Sequence, residues 1–230
     1  KWLNDNIEKI NRYLLYWLSP AFDKDQDHFP EWIHPLQSLY EILPLLNRYH
    51  PAGDGIEPGW VETPMLPALL AREVISFSRL AEQLQAYENP IDFQTHKENL
   101  TAALQSTWNG KKKRFFHQDS IQHTSHTGYL ISTQHGSGIK KLNKRLRAAQ
   151  RLCIKIICAG EHTRAVSIYL QGTTTQGNTV EEISGRQIHW NGPTGYATSQ
   201  YVFTHIKKLE VKNLPQTDIV ELKTVNYASA

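Results

Sequence analysis

Cysteine and methionine are scarce in this chain: two cysteines and one methionine occur among 230 residues. Both thiols, Cys153 and Cys158, fall in RLCIKIICAG, which reads as one β-strand. Positions five apart on a strand point to opposite faces, so these two thiols cannot bridge each other there. A disulfide scaffold is thereby excluded, and C-x4-C without a second pair is not a zinc site. Buried free thiols are the expected role, which favours a reducing, cytoplasmic compartment.

Long apolar runs are missing too: none approaches the roughly 18 to 20 residues that cross a bilayer, so no membrane partner is expected. Charge of one sign is not in excess, the formal net charge being +3. The basic clusters KKKR at 111–114 and IKKLNKRLRAAQR at 139–151 lack the interleaved aromatics of a base-stacking surface. They read as a solvated basic face, and no nucleic-acid partner is expected. No phosphate loop, G-x-G-x-x-G or H-E-x-x-H motif occurs, and no internal repeat. An initiating methionine is absent as well: the chain opens on KWLNDNIEKINRYLLYWLSP, already inside an amphipathic helix. That opening implies that the remainder of a longer parent polypeptide is a partner of this piece.

What is present is ordinary globular material, 40% hydrophobic and 20% charged. At roughly 100 to 150 residues per domain, two domains are expected. Ile7, Ile10, Leu14 and Trp17 recur at helical spacing until Ser19-Pro20. A second helix is expected after Thr63-Pro64, with Thr63 as N-cap, carrying Leu70, Val74, Phe77 and Leu84 to Asn89-Pro90. Asp92 caps a third, which reaches Trp108 before Gly110. From about Tyr129 the period changes from helical to two, as in Val166, Ile168 and Leu170. Six or seven strands are expected there, separated by the turn signals GTTTQGN, NGPTG and NLPQTD.

The long connection between the first two helices holds the chemistry. In DKDQDHFPEW, Asp23, Asp25 and Asp27 alternate as the first, third and fifth ligands of a calcium loop do, with the Phe29 carbonyl in seventh place. Glu31 at position nine can complete the shell. His28 stands where glycine normally turns such a loop, and His34 where a bidentate glutamate closes it. A calcium site and a merely solvated acidic turn both fit. Downstream, FPEWIHPLQSLYEILPLLNRYHP mixes aromatics, acids and histidines, as sugar sites do: aromatic faces stack on pyranose rings and a desolvated carboxyl protonates a glycosidic oxygen. Trp32, Tyr40, Tyr49 and Trp60 are the candidate sugar-facing aromatics. Trp190, Tyr196 and Tyr201 could form a second stacking platform.

The acidic loop with its F-P-E-W, the helix VETPMLPALLAREVISFSRLAEQL and the stretch NLTAALQSTWNGKKKRFFHQD together resemble the six-hairpin glycoside hydrolases of the trehalase and processing-glucosidase type. The resemblance covers roughly residues 1 to 118. It implies part of an (α/α)6 toroid and hydrolysis of α-glucoside-like oligosaccharides by an acid/base pair, usually with inversion. Laid on the segment E-S-G-x-D-N-S-P of that family, residues 37–44 match at Ser38 and Pro44, and the general acid falls on Glu41. The strands SIYLQGTTTQGNTVEEI and YVFTHIKKLEV resemble small immunoglobulin-like modules.

The expectation is therefore an α+β multi-domain chain. Residues 1–118 form helical hairpins of an incomplete toroid, and 119–230 an all-β immunoglobulin-like sandwich. The function expected is part of a glycoside hydrolase; the competing class is a non-catalytic carbohydrate-binding or protein-interaction module.

Overall fold

The structure is a computed structural model that describes residues 1–38, 45–47, 53–84, 93–160 and 165–228. Three α-helices form among the described residues: α1 (Trp2–Trp17), α2 (Met65–Gln83) and α3 (Phe93–Ser106). Their buried faces follow the helical period. Leu66, Leu70, Val74, Phe77 and Ala81 line one side of α2, and the Phe77 ring meets Phe93 of α3 at 5.1 Å between centroids. Thr63 does not cap α2: no side-chain cap bond forms, and its hydroxyl instead accepts the indole N–H of Trp32 at 2.9 Å. Asp92, expected to cap α3, lies outside the described residues.

Four short strands follow the chain from the α2 entrance: β1 (Val61–Glu62), β2 (Trp108–Asn109), β3 (Arg114–Phe115) and β4 (Gln118–Asp119). β1 pairs with β4 and β2 with β3, both antiparallel. The rest is two larger antiparallel sheets. β5 (Leu130–His135), β7 (Leu152–Ile157), β10 (His189–Asn191), β11 (Thr194–Thr198) and β13 (Ile219–Thr224) form a five-stranded sheet in the order β10-β11-β7-β13-β5. β6 (Gly138–Gln150), β8 (Ser167–Thr174), β9 (Gly177–Ser184) and β12 (Phe203–Lys212) form a four-stranded one in the order β6-β12-β8-β9.

Strand alternation decides what each face does. On β7, Leu152, Ile154 and Ile156 join Ile168, Leu170, Ile206 and Leu209 of the other sheet in one core. Cys153 points the other way, into a second core that it shares with Val225, Tyr227 and residues of the helical part such as Ile56, Val61 and Val74. The five-stranded sheet is thus a middle layer, with the four-stranded sheet on one face and the helical part on the other. Cys158 sits in the first core, so the two free thiols do occupy opposite sides.

The likeness to an (α/α)6 toroid is corrected here. The chain is mostly β-sheet with three helices among the described residues, and these pack on the outer face of a sheet instead of closing a ring of hairpins. The coarser expectation, an α+β chain with antiparallel sheets, holds; the immunoglobulin-like arrangement finds no confirmation in this strand order. The expected boundary at 118/119 falls inside the β1–β4 ladder, where Glu62 pairs with Gln118 and Val61 with Asp119.

Candidate metal centre

The loop after α1 folds back on itself. The Glu31 N–H reaches the Phe22 carbonyl at 2.6 Å and so closes residues 22–31 into a compact turn. Within it, the Asp23 carboxylate accepts the backbone N–H groups of Asp27 and His28, each at 3.1 Å, and Asp27 accepts that of Phe29 at 2.7 Å. Two residues adopt left-handed backbone, Gln26 at φ 59° and His28 at φ 71°. His28 therefore makes the sharp turn that glycine usually makes in such loops, at a conformational cost that a Cβ-bearing residue carries there.

This winding brings the three aspartates together: one carboxylate oxygen from each of Asp23, Asp25 and Asp27 lies within 4.8 Å of the others. Oxygens on opposite sides of a calcium ion at 2.3–2.6 Å are about 4.6–5.2 Å apart, so the set fits one ion. A second set on the same scale joins Asp27 to Glu62 and His123. His123 Nδ1 lies 2.8 Å from Glu62 Oε1 and 3.6 Å from Asp27 Oδ2, and the Gln118 side-chain amide donates to the other Glu62 oxygen.

Two of the carboxyls are buried. Glu62 is 0% exposed and Glu31 4%, and Glu31 Oε1 has no hydrogen-bond partner among the described residues. Burial pushes the Glu31 carboxyl up to about 9, assisted by the negative charges of Asp25, Asp27, Glu62 and Asp23. Glu62 is pushed up to about 9 as well, by burial first, against the opposing bond from Gln118. Asp23 and Asp25 are raised too, again by burial first and then by their acidic neighbours. A cluster in which several acids resist ionisation at once wants either protons or a cation.

Of the expected ligands, Asp23, Asp25 and Asp27 meet within 4.8 Å, while Glu31 stands outside both sets and feels them through their charge. The Phe29 side chain is buried at 3% exposure, and its backbone N–H donates to Asp27. His34 turns away: its Nδ1 accepts the Leu36 N–H at 3.2 Å at the start of a short 3-10 turn. Glu62, which lies far along the chain, shares only Asp27 with the loop and joins it with His123 in the second set. No local spacing could announce it, because the β1–β4 ladder brings it in. His123 is delivered by Asp119, whose side chain accepts the Ile121 and Gln122 N–H groups and whose carbonyl accepts that of His123 at 2.8 Å.

The sugar-facing candidates divide. Trp32 is a core residue, 3% exposed and edge-on to Trp17 at 6.0 Å, with its buried indole N–H satisfied by Thr63. Tyr196 is buried at 1%, Trp190 packs against the core between the sheets, and Tyr201 is 38% exposed. Trp60 is half-buried and borders a cleft of about 320 Å³ together with Asp25, Glu31 and Glu57. Glu41, Tyr40 and Tyr49 lie outside the described residues.

No protein-family model matches the chain, and no curated protein matches it.

Proposed function

We propose that the acidic centre binds calcium and that the chain is a calcium-organised portion of a carbohydrate-processing protein. One observation carries the cation reading: a buried Glu31 oxygen, without a partner among the described residues, lies in the field of Asp25, Asp27, Glu62 and Asp23, three of which share a set of oxygens spaced for one ion. An orphaned buried acceptor beside four further acids is a cost that a hard cation with oxygen ligands removes. Calcium fits better than zinc, since carboxylates dominate the set and His123 is already turned toward Glu62. The ion would tie the 22–31 loop to the β1–β4 ladder, and hence to the sheet behind it.

Calorimetric titration with calcium, alongside melts in calcium and in chelator, tests this. At calcium 100-fold above Kd the gain is about 2.7 kcal/mol, a rise in Tm of roughly 5–10 °C for a chain of this size. No heat and no rise at millimolar calcium would remove the cation from the reading.

A second reading is favoured by the same raised carboxyl. Glu31, protonated at neutral pH and bordering the cleft with Trp60, has the character of a general acid for glycosidic cleavage. The two readings exclude each other at Glu31, because a bound cation would draw its proton off.

A further inference from the structure

Trp60 borders three separate clefts. Besides the one of about 320 Å³ shared with Glu31, it lines one of about 200 Å³ with Gln176 and Tyr201, and one of about 150 Å³ with Gln187 and His189. Gln200 connects the last two, and Glu57 links the third to the acidic side. The ring is therefore the common wall of three adjoining clefts.

That ring is held still from behind. The Arg151 guanidinium lies 4.1 Å from its centroid, and Arg151 is itself 0% exposed. Arg151 Nε sits 3.0 Å from Asp119 Oδ2, and Nη1 donates to the Ser199 carbonyl at 3.1 Å and to that of Gln200. The Trp60 carbonyl accepts the Ser120 N–H at 3.3 Å, and buried Glu181 accepts the N–H of Gln200 at 2.6 Å. An aromatic backed by a fixed cation, and amide walls pinned through their own backbones, form a preorganised surface that loses little entropy on binding.

The lining chooses the ligand class. Two of the clefts fall below the about 300–1,000 Å³ of pockets for drug-sized guests and the third, about 320 Å³, lies at their lower end, so the arrangement suits a chain with one unit per cleft. Side-chain amides and hydroxyls such as Gln176, Gln200 and Tyr201 offer donors and acceptors together, which vicinal hydroxyls match. Asp25 and Glu57 on one wall, against the single cation Lys24 in that cleft, oppose a phosphate backbone. We infer that this surface binds a neutral oligosaccharide, its middle ring stacked on Trp60 and its neighbours seated in the flanking clefts. The inference rests on the surroundings of Trp60 and not on the cation.

The test is calorimetry of the whole chain with maltopentaose, cellopentaose, mannopentaose and chitopentaose, with oligothymidylate as the anionic control, each in calcium and in chelator. A neutral pentasaccharide is expected to bind. Trp60→Ala should weaken it at least 10-fold, and Gln200→Ala, an exposed side chain, about 5-fold with the melting profile unchanged. Arg186→Ala, outside the clefts, should leave binding as it was. The inference is overturned if none of the four sugars binds the folded chain, if oligothymidylate binds in their place, or if the Gln200 variant binds undiminished. Sugar binding that persists where calcium produces no heat would reject the cation reading and keep this one.

Discussion

At the scale of single residues the protein's most telling feature is a pair of carboxyls that do not want their charge. Glu31 and Glu62, ordinarily near 4.5, are both held up at about 9 by burial. Between those values the folded chain keeps protons that the unfolded chain has released, so without a cation stability falls as pH rises. His117, buried and pushed down to about 4, has the opposite slope, but its contribution is complete once pH passes its ordinary 6.5. The window from pH 7 to 9 is therefore governed by the acids, with Cys153, raised from 9.0, adding a smaller loss of the same sign only near its upper end. Melts in chelator should lose Tm steadily across it, and millimolar calcium should flatten the loss, since the ion binds the ionised forms and takes the protons' place. A Tm in chelator that held level or rose from pH 7 to 9 would mean these carboxyls are already ionised. The loop aspartates and Glu31 were legible in the sequence because alternation within ten residues is a local signal. Glu62 and His123 were not, since only strand pairing and the Asp119 turn bring them in.

At the scale of elements, legibility followed how cleanly a period shows through. α1 and α2 follow the apolar stripes, and GTTTQGN becomes the β8–β9 hairpin turn with Gly177 at φ 123°. β6 is the counter-example: IKKLNKRLR reads as a basic cluster, yet it is a 13-residue strand at the edge of its sheet, mostly exposed. Lysines on an edge strand discourage pairing with other chains, so the charge that hid the strand has a structural use. β4 is too short to read at all, yet it anchors Asp119, whose carboxylate accepts the Tyr227 hydroxyl at 2.7 Å and faces buried Arg151. The pair is close but poorly aligned for a hydrogen bond at Nε, which makes the charge itself the important quantity. Asp119→Asn keeps the shape and removes that charge, leaving Arg151 without its nearest counter-ion. Breaking one side of a buried pair costs about 3–5 kcal/mol. Scanning calorimetry should show a Tm lower by roughly 6–20 °C; a drop of a degree or less would mean that Glu181 and the backbone carbonyls already suffice for Arg151.

At the scale of the whole molecule, the middle sheet decides how far the two halves can be separated. A division at 118/119 assigns helices to one half and strands to the other, and a composition shift near Tyr129 invites it. The core behind β7 crosses that line, because Cys153, Val225 and Tyr227 pack with Ile56, Val61 and Leu66. Gly55 shows how close the approach is: at φ 61°, a Cβ there would stand 2.7 Å from the Tyr196 ring, so the 53–57 loop lies directly on β11. The thiols report on this contact from opposite faces. Cys153, 2% exposed, is pushed up to about 12 chiefly by burial, and donates its S–H to the Asp54 carbonyl at 3.1 Å. Cys158 lies in the core between the sheets and does not depend on the helical part for its cover. In the intact chain both should react slowly with a thiol reagent under native conditions. In a fragment of residues 119–230 the cover over Cys153 is gone, its pKa returns toward the ordinary 9.0, and its thiolate fraction at pH 8 rises by orders of magnitude. Cys153 should then label rapidly while Cys158 stays protected wherever the fragment keeps its sheets packed. Labelling followed by mass spectrometry separates the cases: equal, slow reaction of both thiols in the fragment would show that the helices are not what buries the outer face of the sheet. Rapid reaction at Cys153 alone would show that the middle layer owes one of its two faces to them.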